Sequence, residues 1–285
     1  MHKAHTAKPT RQQGFTLIEL SIVLVIIGLI VGGILVGQDL IKAAEIRATI
    51  AQSEKYNSAV NTFRSKYNGI PGDLLETNAV AFGLCPVAGC TGATTVGLGD
   101  GNGLIQDATN ANLPVGEPLI FWQQLSVAGL VDGAYGTALT TAGEAAADAA
   151  PPDPYLPPAK MGRGNYWHVG SANGFNYYLI GGDTKLTAAG AYTFALKITP
   201  IEAYDIDVKI DDGAPNTGIV QARKAVATAL SDLAAGNASA YHATGAEAAG
   251  DCQVGSGSSV NLGNTYSVGT VAGNTSACML RIRFN

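Results

Sequence analysis

A single carboxylate in an apolar run is where this sequence first demands chemistry. From Phe15 to Gly37 it reads FTLIELSIVLVIIGLIVGGILVG, 23 residues in which Glu19 alone is charged. Holding a carboxylate inside such a stretch costs about 2.5 to 3.5 kcal/mol on membrane-insertion scales, so Glu19 needs a partner or a role. Cutting the bond between Gly14 and Phe15 supplies one. It creates an α-amine on Phe15, a cation that Glu19 of an adjacent copy can neutralise inside a bundle of helices. The same cut removes Lys3, Lys8 and Arg11 and no acid, which takes the formal charge from −5 to −8 by the loss of those three cations.

Other chemistry is sparser. Two acidic loops offer oxygen ligands, one with Asp100, Asn102 and Asp107, the other with Asp205, Asp207, Asp211 and Asp212. Flexible oxygen-rich loops suit calcium, which takes about 6 to 8 such ligands. Neither loop completes the EF-hand pattern, and aspartate as turn former and helix terminator accounts for the same residues without a metal. No other cofactor is expected. The cysteines form a close pair, Cys85 and Cys90, and a distant pair, Cys252 and Cys278. An even number suits disulfides in an oxidising compartment, with the connectivity open. Reduced thiols or zinc are the rivals, and zinc ranks low because neither pair has CxxC spacing and none of His2, His5, His168 and His242 lies near a cysteine in sequence. His2 and His5 precede Gly14, while His168 and His242 lack a nucleophile motif. Gly99-x-Gly101-x-Gly103 has the wrong spacing for a dinucleotide fingerprint and no βαβ unit around it. No catalytic activity is expected.

The element that must carry Glu19 is a helix. Twenty-three apolar residues exceed the roughly 20 that a bilayer requires. A secretory signal peptide has a shorter apolar core, about 7 to 15 residues, and ends at a small-residue cleavage site. An ordinary signal-anchor fits the length and the basic flank but leaves Glu19 unexplained. Gly28, Gly32, Gly33 and Gly37 form small-xxx-small pairs that permit close helix approach; they also weaken a helix locally, and membrane helices tolerate them without consequence. Beyond Gly37, Ile41, Ala44, Ala48, Ala51, Ala59, Val60 and Phe63 recur near helical spacing among charges, so the helix continues outward with an apolar face. Asn68-Gly69-Ile70-Pro71-Gly72 should end it.

Beyond Pro71 the chain reads as one loop-rich head. With 47% hydrophobic and 14% charged residues the chain has material for a core, and an acidic balance without a Lys/Arg cluster argues against nucleic acid as main partner. Within Glu117 to Val131, Ile120, Phe121, Leu125 and Ala128 stand at helical spacing before Gly129 and predict a short helix with Trp122 in the core. Thr140 to Pro158 is Ala-rich and then Pro-rich, a surface loop. Tyr166 to Gly170 and Phe175 to Ile180 flank Ser171-Ala172-Asn173-Gly174, a strong hairpin signal, and Tyr192 to Ile198 makes a third strand. Thr199-Pro200-Ile201-Glu202 is a capping box opening a short helix that stops near Gly213. The fold class expected is α+β: a long N-terminal helix packed on a head with an antiparallel sheet and short helices.

Gly14-Phe15-Thr16-Leu17-Ile18-Glu19, with the apolar run behind it, resembles the prepilin cleavage and methylation motif of type IV pilins and type II secretion pseudopilins. The likeness is strong over roughly the first 55 residues. Weaker likeness to a subgroup of bacterial prepilin-like proteins extends through Lys66 to Asp73, Gly97 to Gly103 and Ala203 to Gly218. The region bracketed by Cys252 and Cys278 is similar to the disulfide-closed C-terminal region of many pilins. One departure is that many pilins carry a proline in the second half of the apolar helix, where this chain has glycines.

The resemblance implies that a prepilin peptidase cuts after Gly14, that Phe15 is N-methylated, and that Glu19 guides assembly. It implies a leader over 1–14, a membrane and assembly helix over 15–37, its amphipathic continuation over 38–68 and a head over 69–285. The precursor would sit in a bacterial inner membrane with its head in the periplasm. Other pilin or pseudopilin subunits and an inner-membrane assembly platform would be its partners, in a type IV pilus or a type II secretion pseudopilus. The alternative is a minor tip pilin or membrane-tethered adhesin, kept open by a head of about 215 residues, larger than a packing module requires. Calcium in the head is familiar among major pseudopilins.

Overall fold

The structure, a computed structural model, describes residues 14, 16–84, 99–106, 117–135, 155–172, 174–186, 192–195, 197–223, 252–254, 265–266, 268 and 278–284. Residues 1–13, Phe15, Cys85, Cys90, Asp107, Asn173, His242 and most of the Thr140 to Pro158 loop lie outside the described residues. Within them the chain is α+β, with a long N-terminal helix, an antiparallel sheet and short helices. Contacts divide it into two units, the first ending at Ala44 and the second beginning at Glu45.

Helix α1 runs from Leu17 to Tyr67. Its first part is long and apolar enough to cross a membrane, with a mean hydropathy of 2.9 over its best window and none of that window buried. The helix closes on Asn68, whose φ of 53° is the left-handed cap conformation and whose N–H reaches the Arg64 carbonyl at 2.9 Å. The breaker cluster predicted there begins at that residue.

From Glu45 onward α1 is a buttress of the head. Its buried face is Ile46, Thr49, Ser53, Tyr56, Ala59, Val60, Phe63 and Tyr67. That corrects the predicted apolar face at its start, because Ala44, Ala48 and Ala51 are exposed. Thr49 and Ser53 take their place at little cost. Their hydroxyls donate to the carbonyls of Glu45 at 2.8 Å and Ile50 at 2.7 Å, so neither of these two hydroxyls goes unsatisfied.

Tyr56 joins the helix to the rest of the core. Its ring meets Trp122 of α3 (Glu117–Val127) edge-on at 4.9 Å, and Trp167 of β1 (Asn165–Ala172) at 5.4 Å. Such aromatic pairs add about 0.5 to 1.5 kcal/mol beyond the area they bury. Gln52, one turn earlier, donates to the Pro158 carbonyl at 3.0 Å and accepts the Lys160 N–H at 2.9 Å. A side-chain amide thus binds the 158–160 segment as a neighbouring strand would.

α3 ends at Val127, just before Gly129, where the helical spacing of its apolar residues also ends. Gly129 takes φ 71°, its N–H returns to Ser126 and that of Leu130 to Leu125, a Schellman close. The short helix α2 spans Glu76–Ala81.

The main sheet has the order β1-β2-β7-β4, with β3 also pairing with β2, all antiparallel. β2 covers Phe175–Leu186, β3 Tyr192–Ala195, β4 Val220–Arg223 and β7 Met279–Arg283. Ala172 pairs with Phe175, and Gly174, just before β2, has φ 79°, the left-handed conformation a tight hairpin turn favours. β2 outruns its predicted end at Ile180 because its far half acquires β3 as a partner. β3 stops at Ala195, and Ile198 bridges Cys278 instead. Between β3 and β4 lies α4, Pro200–Ile210, opened by the predicted capping box. A second small sheet pairs β5 (Gln253–Val254) with β6 (Thr265–Tyr266).

Candidate functional site

At the start of α1, Thr16 and Glu19 hold each other. The Thr16 N–H and hydroxyl both donate to Oε2 of Glu19, at 2.8 and 2.7 Å, and the Glu19 N–H approaches Thr16 Oγ1 at 3.3 Å. This is the reciprocal bonding of a capping box, Thr-x-x-Glu, which satisfies donors a helix start leaves open. Both bonds to the carboxylate fall on one oxygen. Gly14 precedes this cap and is exposed, and an added Cβ there would meet nothing within 4 Å. Gly28, Gly32, Gly33 and Gly37 are equally unhindered. Among the described residues, packing within the chain therefore places no demand on any of these five glycines.

The head holds a second concentration of charge. Asp73, Asp100 and Glu117 each place a carboxylate oxygen within 4.8 Å of the others. Asp73 accepts the N–H groups of Gly101 and Gly103, each at 2.7 Å. Glu117 accepts those of Asp100 at 3.3 Å and Gln106 at 2.6 Å, and Asp100 accepts both the backbone and side-chain N–H of Asn102. Every oxygen of the three carboxylates has a donor, so they act as a clamp on the 99–106 loop. Two glycines make the approach possible: a Cβ on Gly99 would fall 2.3 Å from the Asp73 carbonyl carbon, and one on Gly72 would fall 2.6 Å from the Glu117 carbonyl oxygen.

Crowding three acids has an electrostatic consequence. Burial, reinforced by the negative charges of Asp73 and Asp100, pushes Glu117 up to about 8 against the N–H bonds that oppose it. Burial also raises Asp73, with Asp100 adding to the effect. Near neutral pH the cluster retains a proton that isolated carboxyls would have lost.

Of the other acidic group, the structure gathers Asp207, Asp211 and Asp212 and leaves Asp205 outside. Asp207 is fully buried and accepts the Tyr266 hydroxyl at 2.7 Å, which ties α4 to β6. Burial pushes its carboxyl up to about 6, opposed by that hydroxyl. Asp211 accepts the Ile219 and Val220 N–H groups, and Asp212 the Ala214 N–H and Thr217 hydroxyl. These residues order the α4–β4 turn. Cys252 and Cys278 form a disulfide with Cα atoms 5.1 Å apart, next to the Cys278 N–H to Ile198 carbonyl bond of 2.9 Å. His168 lies fully buried in β1, where desolvation lowers it to about 3 and keeps it neutral.

The decisive comparison concerns the N-terminus: residues 9–35 match the family model of the prokaryotic N-terminal methylation motif. The chain carries the type IV pilin and pseudopilin signature. No curated protein and no solved structure matches it. The signature covers the Gly14–Phe15 junction, Thr16, Glu19 and most of the apolar helix, which is long and apolar enough to cross a membrane.

The sequence pointed to Glu19 but not to its local partner, although Thr16-Leu17-Ile18-Glu19 is itself a legible capping pattern. Asp73 and Glu117 were missed as companions of Asp100. They stand far from it in sequence, and only the fold brings them together. Asn102, expected as a ligand, serves as a donor to Asp100.

Proposed function

We propose that this protein is a structural filament subunit, cut after Gly14 by a prepilin peptidase, N-methylated at Phe15 and assembled through its apolar helix into a type IV pilus or secretion pseudopilus. The observation that carries this reading is the Glu19 carboxylate, held at the helix start with one oxygen fully engaged by Thr16, directly beside the junction where cutting creates a cation. Gly14 adds support. Its backbone and surroundings accept a side chain without conflict, so a requirement for glycine there belongs to the enzyme that reads the site.

Processing is the first step. The peptidase hydrolyses the Gly14–Phe15 amide, releases the basic leader from the cytoplasmic side and leaves the Phe15 amine. Assembly comes next, as the amine of one subunit neutralises Glu19 of its neighbour and the apolar helices leave lipid for one another. The head stays in the periplasm or reaches the cell surface, according to the filament it joins.

Mass spectrometry of sheared filaments tests this directly. The expected mature chain begins at Phe15 and carries one methyl group on its α-amine. Gly14→Ala should accumulate uncut in cells with active peptidase. Efficient cutting of that variant, or a filament subunit that retains the leader, would overturn the reading.

A further inference from the structure

The head has a groove of about 460 Å³ along the outer part of α1. Ala48, Ala51 and Tyr56 form its helix side, and Val131, Pro157 and Pro158 its other side. Ala48 and Ala51 are exposed small residues at an otherwise charged helix surface, which lets a second helix approach closely. Among the described residues the lining also includes Gln52, Tyr135 and three charged groups: Lys55, paired with Asp132, and Lys160. Two cations face one acid.

We propose that this groove seats the outer end of the apolar half of α1 from a second copy of the chain, with Asp39 of that copy set against Lys160. The proposal rests on the filament reading above. Leu35, Val36 and Leu40 are 58%, 63% and 67% exposed, so this stretch needs apolar cover once it leaves a bilayer. Between Leu17 and Ile41 the only charged residues are Glu19 and Asp39, and Asp39 alone lies at the outer end. Its sign matches the excess cation of the groove. A helix presenting Val36 and Leu40 to the alanines thus brings an acid to the lysine.

The test is assembly of the full chain in cells that make filaments, read as the ratio of sheared to membrane-held processed subunit. Ala51→Trp fills the groove from an exposed position, and Lys160→Asp places an acid opposite Asp39. Each should lower the ratio about tenfold or more, as expected for a loss of 1.4 kcal/mol per contact, while cutting proceeds normally. Adding Asp39→Lys to Lys160→Asp should restore assembly. Ala48→Cys combined with Val36→Cys should give disulfide ladders in filaments, with neither single variant doing so, and this readout decides the matter if a bulky variant misfolds. Wild-type-like assembly of Ala51→Trp and Lys160→Asp, or no ladder from the cysteine pair in intact filaments, overturns the groove assignment and leaves the filament reading standing; a soluble ligand of the head would give that result. A wild-type chain that never enters filaments overturns both.

Discussion

Helix α1 and helix α4 begin with the same device, and the difference between them shows what the N-terminus lacks. In α4, Glu202 accepts the Thr199 N–H on Oε2 at 2.9 Å and the Arg163 guanidinium on Oε1 at 2.8 Å. Its side chain is 8% exposed and paired on both oxygens. In α1, Glu19 accepts two bonds from Thr16 on Oε2, and among the described residues no cation reaches it. A capping carboxylate uses one oxygen for its own helix and has the other to spare. The head answers that second oxygen from within the chain. In the apolar helix the cation must come from elsewhere, and in the filament proposed above the Phe15 amine of a neighbour would provide it.

The largest effect should come from separating capping from charge at Glu19. Glu19→Gln keeps an acceptor for Thr16, as glutamine serves in a capping box, but cannot neutralise an amine. It should be cut normally and be reduced at least about tenfold in sheared filaments, as should Glu19→Val, because a buried unpaired amine costs several kcal/mol. Immunoblots of sheared and membrane fractions measure this. Filaments formed by Glu19→Gln but not Glu19→Val would reduce Glu19 to a cap.

The opposite dependence is expected of the head, whose order rests on covalent and packed contacts. Cys278→Ser opens the loop closed with Cys252, and loss of a disulfide over such a span should cost about 3 kcal/mol. Thermal unfolding of the mature protein in detergent should show the drop, with leader removal unchanged. An equal melting temperature with and without the disulfide would mean that β7 is held by its sheet partners alone.

How much of this could be read from the residues obeys the same division. The start of α1 was legible because its signal is local: a basic leader, one carboxylate, an apolar run and a breaker cluster lie in unbroken order. The capping box of α4 and the β1–β2 hairpin were legible for the same reason. The Asp73–Asp100–Glu117 clamp was not, since its members come from the turn after α1, a glycine loop and the start of α3. Nor was the inner face of α1 near Glu45, where Thr49 and Ser53 displace alanines because their hydroxyls bond back to the helix. Apolar periodicity cannot detect a polar residue that satisfies itself.

A smaller and sharper contrast comes from the two capping threonines. Thr199→Ala should destabilise the head by about 1 kcal/mol, the usual worth of a helix N-cap. Thr16→Ala should leave the head's melting temperature unchanged, since the first unit ends at Ala44. Parallel melts of the two variants check this, and a matching drop for Thr16→Ala would show that the start of α1 contributes to the head's stability.

The finest test is pH, because the head's buried carboxyls behave opposite to an ordinary ion-paired acid. Glu117 moves from 4.5 up to about 8 and Asp207 from 3.8 up to about 6. The folded state therefore binds these protons more tightly than the unfolded chain does. Their contribution to stability is full below the unfolded values and is lost as pH rises through about 6 for Asp207 and about 8 for Glu117. The melting temperature of the mature protein should fall by a few degrees, roughly 2 to 4 °C per kcal/mol, between mildly acidic and mildly basic buffer. Glu117→Gln should remove the upper part of that slope and keep the part due to Asp207. The clamp explains why: its oxygens are filled by N–H groups of the 100–106 loop, so a proton is the smallest charge that can relieve three neighbouring acids without displacing the loop. Calcium that restored the acidic melting temperature at basic pH would assign that relief to a cation, and a slope untouched by Glu117→Gln would place the titrating group elsewhere.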